Sequence, residues 1–434
     1  MKQFLFWFTF LHLIFSDRIS FGSDQTPGPP QRRPLALVGG TIHPIAGDHL
    51  AGTLLFDQGR IVAIGNDLTL PPNTEVLDIT GQHVYPGFFD AYTRLGLVEI
   101  DAVRATVDSR ETGRINPNVL AQVAVNPGSE LIPVARSNGV LLALAAPAGG
   151  LLSGQSAVLQ LDGWTYEDLT LKPRAGLHVV WPYMTSRRDR NDPHSAEFQN
   201  SRRDESLQVL RQTFEDARAY HVARRQAPDD HPVDLRWEAM RSVFERQVPL
   251  VVEANDLAQI YAAVAFAEQQ QARLMIYGGY DAPHCVELLK KHDVPVIIAG
   301  VYRLPARRSD DVHAGYTVAA RLHEAGVKFC IAGSGPFAAS NVRNLPYHAS
   351  TAVAYGLPRD VALKAITQYP AEMFGLQKQI GTLEAGKHAT LFVCDGDPLE
   401  TATSITHAFV QGRRVDLSNR QVRLWEKYQA KYAE

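Results

Sequence analysis

Cysteine is scarce in this chain, with Cys285, Cys330 and Cys394 the only three in 434 residues. Their separations fit no metal-binding spacing, and so few thiols cannot frame a disulfide scaffold. Cys330 and Cys394 lie in apolar, strand-like runs and read as buried thiols. An excess of either charge is also missing: 43 Lys and Arg stand against 46 Asp and Glu, a formal charge of -3. That balance argues against nucleic acid as a main partner. Arginine-rich patches such as Arg187-Arg188-Asp189-Arg190 and Arg202-Arg203-Asp204-Glu205 are interrupted by acids and read as solvated faces. No Gly-x-Ser-x-Gly elbow surrounds Ser153, Ser156 or Ser334, and no Gly-Lys-Ser/Thr phosphate loop is present.

The one long apolar run is Gln3 to Phe15, behind Lys2 and too short to span a bilayer comfortably. Ser20 and Gly22 are small residues at cleavage spacing, so residues 1–22 are expected to be a secretory signal peptide. No cysteine sits at that point, which argues against a lipid anchor. The mature protein is then periplasmic or extracellular, with no stable membrane span. Residues 23–34 are rich in Pro, Gly and polar side chains and read as a linker.

A chain of this length, 45% hydrophobic, can bury one large barrel and a small accessory domain. Leu35 to Ile42 is strand-like, and Gly52 to Ile64 reads as a hairpin turning at Asp57-Gln58-Gly59-Arg60. Glu75 to Ile79 adds a strand. Small strands with no helix between them predict a β domain over 35–84. From 85 to 378 strand-like and helical runs alternate, which predicts an α/β barrel. Its strands include Val140–Ala145, Leu177–Trp181, Pro249–Glu253, Leu274–Tyr277, Val294–Ile298 and Lys328–Ala332. The charged stretch from 186 to 248 is longer than one crossover needs and reads as a helical insertion. Ile380 to Val393 and Ile405 to Val415 predict further strands over 379–420 that complete the β domain, with 421–434 a tail.

Tyr85 to Ile100, YPGFFDAYTRLGLVEI, is the stretch on which function turns. It resembles the first barrel strand of the amidohydrolase superfamily, usually Pro-Gly-Phe-Ile-Asp-x-His-x-His. The tail Gly381-Thr382-Leu383-Glu384-Ala385-Gly386-Lys387-His388-Ala389-Thr390-Leu391 resembles the ending of the same family, with Thr390 where Asp is usual. The resemblance runs from Leu35 to about Val415. It implies a TIM-like (β/α)8 barrel with a small β-sandwich built from both chain ends. It also implies a hydrolase of non-peptide C–N bonds that works through zinc-bound water.

The family's metal ligands fall here on other residue types. The two histidine positions of the first strand are Tyr92 and Arg94. Glu253 stands in a histidine place on the fifth strand and Tyr277 in another on the sixth. The aspartate after the eighth strand falls on Ser334 or Gly335. A hydrolytic zinc needs about three imidazole, thiolate or carboxylate ligands, and of these positions only Glu253 qualifies. It is therefore the one weak candidate for a catalytic role, and no metal ligand or cofactor is assigned, zinc included. His284 and His292, and His313 and His323, are not spaced as ligand pairs.

Arg94 and Glu253 are expected to approach each other across the barrel mouth and to pair or to bind a carboxylate ligand. His178 is a further candidate for the pocket lining. Asp101 to Gly163, with Asn126-Pro127-Gly128 and Gly149-Gly150-Leu151-Leu152-Ser153-Gly154-Gln155-Ser156, resembles the imidazolonepropionase-like branch. Gly154 and Gln155 are expected in a tight loop at the mouth. Two functions remain open: a hydrolase of a small cyclic amide-type substrate, or an exported metal-free relative that binds a small ligand. In the second case it could serve as a partner subunit, as a homo-oligomer or beside a related barrel.

Overall fold

The computed structural model describes residues 25–186, 194–333 and 338–432. The expected signal segment 1–22 and the positions Ser334 and Gly335 lie outside these residues.

Two sheets account for the architecture. The flanking sheet begins with β1 (Leu35–Ile42), β2 (Leu50–Asp57), β3 (Arg60–Gly65), β4 (Glu75–Asp78) and β5 (His83–Pro86). Gln58 and Gly59, with φ of 47° and 77°, form the tight turn between β2 and β3 that the sequence predicts. β1 pairs along its length with β2, and its other edge takes β4 at Leu35–Val38 and β5 at Thr41–Ile42. Gly39, at φ 84°, sits at the irregularity where the partner changes.

The barrel follows as β6 (Phe88–Thr93), β7 (Val140–Ala145), β8 (Leu152–Gln160), β9 (Thr170–Val180), β10 (Leu250–Ala254), β11 (Leu274–Gly278), β12 (Val296–Ala299) and β13 (Phe329–Ala332). These eight lie in sequence order and nearly close. Both faces of the strands are covered, which is why Val140–Ala145 is apolar throughout. Phe89, Leu142, Val251, Met275, Ile297 and Cys330 fill the interior. Each such side chain contributes roughly 1.5–3 kcal/mol by leaving water.

β8 departs from the (β/α)8 pattern, because it runs antiparallel to both β7 and β9. Its connection from β7 is a short turn at Gly149 and Gly150 (φ 85° and 70°), with Arg114 O only 2.8 Å from where a Cβ of Gly150 would stand. A connection that short joins antiparallel neighbours, whereas a parallel crossover needs a dozen residues or more. The glycine turn is thus real, but the strand begins before the expected loop ends, and Gly154 and Gln155 belong to β8.

The insertion between β9 and β10 holds two helices, Ala196–Gln226 and Leu235–Phe244. Leu210, Phe214 and Ala217 of the first, with Met240 and Val243 of the second, are buried against the barrel. The chain then returns to the flanking sheet as β14 (Leu391–Cys394), β15 (Ile405–Val410) and β16 (Arg413–Arg414), with β14 beside β5. Both chain ends therefore build that sheet. A helix at Arg420–Tyr432 ends the described chain, where sequence reading places only a tail. All three cysteines are buried and free. No described helix is long and apolar enough to cross a membrane.

Candidate functional site

The carboxyl ends of the strands converge on one mouth, where barrel enzymes do their chemistry. β10 and β11 are in register there, with Glu253 opposite Tyr277. One layer deeper, Val251 stands opposite His178 on one side and Met275 on the other. Alternation along the strands therefore aims Glu253, Tyr277 and His178 inward.

Tyr92 and Tyr277 stack face to face, ring centroids 3.5 Å apart and planes 10° from parallel. His178 lies against Tyr92, with centroids 5.5 Å apart. Its ring is buried, Nε2 has no hydrogen-bond partner, and burial pushes its pKa down to about 3. It is a neutral, apolar-packed histidine. The Tyr92 phenol is likewise held far above its ordinary pKa, first by burial and then by the charge of Glu253.

Three charged side chains at this mouth are coupled electrostatically. Burial raises the Glu253 carboxyl, and the guanidiniums of Arg94 and Arg303 pull it back. The expected Arg94–Glu253 ion pair does not form: among the described residues neither side chain has a hydrogen bond or an ion pair within 4.0 Å. The first and fifth strands of eight face each other across the mouth, and the two side chains act on each other only at longer range.

Arg303 was not readable as a site residue, since it sits in the loop after β12 with no motif around it. That loop is held over the mouth by a local network. Arg303 lies on the Tyr280 ring, 5.2 Å from its centroid. Tyr280 accepts from the Ala306 amide at 3.1 Å and donates to Asp310 at 3.0 Å. Arg307 grips Asp281 through both terminal nitrogens and reaches Asp310 through Nε at 2.9 Å.

Asp90, the aspartate of the first-strand motif, is a second residue to which sequence reading assigns no role. It is completely buried where β6 meets β13. Its Oδ1 accepts from the Tyr92 and Gly333 amides, each at 3.2 Å, and Oδ2 has no partner. Burial, opposed only by those two amides, holds its pKa well above the carboxylate range. It forms a seam between the first and last strands, and burial there favours its neutral form.

Gln155 faces away from the mouth. Its amide nitrogen donates to Pro117 O at 3.1 Å and to Ala239 O at 2.9 Å, tying β8 to the insertion helix. Gly154 lies against the Val119 carbonyl, 2.8 Å from where its Cβ would be, which leaves no room for a side chain.

Among the described residues, the side chains at the mouth do not supply the three ligands of a hydrolytic zinc. Tyr92 and Tyr277 stack on each other, burial holds the Tyr92 phenol far above its ordinary pKa, and Arg94 is a cation at the same mouth. Among the described residues no group of three His, Cys, Asp or Glu side chains is placed to hold a metal ion. A cavity of about 920 Å³ opens at the other end of the barrel, beside Arg273, Leu274, Val294 and Phe329. It lies at the amino ends of the strands, where barrel conservation serves stability rather than chemistry.

Comparison with known proteins agrees with this architecture. The amidohydrolase family model matches residues 269–415. That segment runs from the end of the helix before β11 to just past β16. Amidohydrolase tasK of Hapsidospora irregularis is 22% identical over 389 residues, 83% of this chain and 39% of the relative. The chain thus spans well under half the length of that relative. A solved amidohydrolase from Thermotoga maritima superposes with a TM-score of 0.78 at 24% identity, covering 88% of this chain and 99% of its own. A putative prolidase from Bifidobacterium longum gives a TM-score of 0.55 at 17% identity, covering 92% and 100%. At these identities the structural likeness establishes the fold.

Proposed function

We propose that this chain is an amidohydrolase-family protein whose barrel mouth binds a small, planar, carboxylate-bearing molecule without the metal of the family. The observation that carries this reading is the trio Arg94, Arg303 and Glu253, electrostatically coupled yet without hydrogen-bond or ion-pair partners, at the mouth that holds the Tyr92–Tyr277 stack. Two guanidiniums with free donors suit a carboxylate. Glu253 suits an amide N–H or an ammonium on the same molecule, and the half-exposed Tyr277 ring offers a flat apolar wall. A cyclic amide of the kind handled by the imidazolonepropionase-like branch has this combination of groups. Export and a related barrel partner belong to the same proposal.

The test is calorimetric titration with paired cyclic amides that differ only in a carboxylate. The acid of each pair is expected to bind more tightly. Arg94→Ala and Arg303→Ala are each expected to weaken it about tenfold or more, roughly 1.4 kcal/mol. Equal binding of acid and neutral analogue would sink the reading.

The family match favours a second reading, hydrolysis of the same class of ligand. Glu253, with its raised pKa, is the side chain at the mouth able to shuttle a proton. Zinc at one equivalent that tracks with turnover would establish this reading and displace the first.

A further inference from the structure

The helix at Arg420–Tyr432 has no buried residue in its 13. On a projection of about 100° per residue, Leu424, Tyr428, Tyr432, Trp425 and Val422 fall within one arc, interrupted only by Gln421 and Gln429. The opposite arc carries Arg420, Arg423, Lys427 and Lys431 with the single carboxylate Glu426. Trp425 is 61% exposed and Tyr432 76%. Such separation normally serves to bury the apolar side, yet here that side is exposed.

The attachment explains the exposure. Arg423, from the polar arc, reaches Glu130 of the barrel at 3.7 Å, and the Asn419 side chain caps the first turn by accepting from the Val422 amide at 3.1 Å. The Arg423 edge of the polar arc is therefore the side that meets the body, and the rest of the helix, the aromatic arc included, is exposed. Lys431 and Arg420 border the aromatic arc beside Leu424, and long cationic stems of this kind lie along apolar surface while their charges stay in water.

We propose that this helix is a docking surface for an anionic lipid bilayer, lying in the interface plane with Trp425, Tyr428 and Tyr432 immersed. The charge supports this partner: with Arg423 engaged by Glu130, the three cations Arg420, Lys427 and Lys431 against the one carboxylate Glu426 complement an anionic surface. The composition supports it too, since Trp and Tyr rings favour the headgroup level. No spanning segment is required, and the barrel mouth keeps its own ligand.

The test is flotation of the full-length chain with vesicles of phosphatidylcholine alone and of phosphatidylcholine with phosphatidylglycerol. Binding is expected to the anionic vesicles and to weaken as salt is raised. Lys427→Glu with Lys431→Glu is expected to lower binding roughly tenfold or more. Trp425→Ala with Tyr428→Ala and Tyr432→Ala is expected to lower it by at least as much. Both variants should keep the thermal midpoint of the parent, because the substituted side chains support no core. The apolar segment Gln3–Phe15 is present in every arm, so the difference between variants is what is read. Binding that survives both sets of substitutions overturns the proposal, as does absence of binding. Self-association of the parent that the aromatic variant abolishes, without vesicle binding, overturns it in favour of a second copy as the partner.

Discussion

The barrel interior and the junction between barrel and flanking sheet both bury ionisable groups, and they do so in opposite ways. In the interior Asp90 and His178 have no charged partner, and burial favours the neutral form of each. At the junction Asp162 is as deeply buried but meets two guanidiniums, Arg136 Nη1 and Arg413 Nε, each at 3.1 Å. It also accepts from the Gly28 amide at 3.2 Å. Burial raises the Asp162 carboxyl, and Arg413 and Arg136 pull it down. Arg413 comes from β16, Arg136 from the helix Leu131–Arg136 and Asp162 from the end of β8, so this charge cluster ties the two chain ends to the barrel. The contrast teaches that a buried carboxyl can act as a neutral spacer or as a charged clasp, according to which cations the tertiary fold delivers.

The comparison breaks most readily at the clasp. Asp162→Ala leaves the Arg136 guanidinium buried without its counter-charge. A loss of about 3–5 kcal/mol in denaturant unfolding is expected, and a loss under 1 kcal/mol would remove the clasp from the account. Next in size is Arg307→Ala at the mouth, which strands the buried Asp281 carboxylate. It should cost roughly 2 kcal/mol and raise hydrogen exchange in the 301–313 loop. Unchanged exchange there would show that the loop is held by other contacts.

The neutral interior is tested by its pH dependence. His178 is depressed to about 3 in the fold against an ordinary 6.5. Between those values the unfolded chain binds the extra proton, so the contribution is complete above 6.5 and is lost as pH falls toward 3. His178→Leu should flatten that part of the stability–pH curve. Asp90 slopes the other way. Its raised pKa makes its contribution greatest below about 3.8, with loss as pH rises toward the folded value. Asp90→Asn replaces a neutral carboxyl by a group of the same shape. It should shift stability by less than about 1 kcal/mol below about pH 3.8, where the carboxyl is neutral in both states, and should stabilise the fold at pH 7. A loss as large as that of Asp162→Ala would mean that Asp90 is charged, and the contrast between the two regions would fail.

Local chemistry written into the chain was sufficient for much of the architecture. The Gln58-Gly59 turn and the apolar runs of β7, β10 and β11 follow from side-chain period and turn residues, which act over a few positions, whereas the flanking sheet made from both ends was implied by the family resemblance. The residue types at the carboxyl ends of β6, β10 and β11 were equally legible, since strand alternation alone aims Glu253 and Tyr277 inward.

What no local pattern contains is distance across the barrel. The closed geometry decided that Arg94 and Glu253 act on each other without touching, that Arg303 joins them from a loop, and that Tyr92 and Tyr277 stack. It also decided that Gln155 points outward to a helix 84 residues further along the chain. The reversal of β8 belongs here as well, because strand direction depends on whether the partner lies one turn away or beyond a crossover. Which groups meet, and whether a buried acid stays neutral or finds two cations, is set by the path of the whole chain, because electrostatic energy depends on separation and burial and not on sequence order.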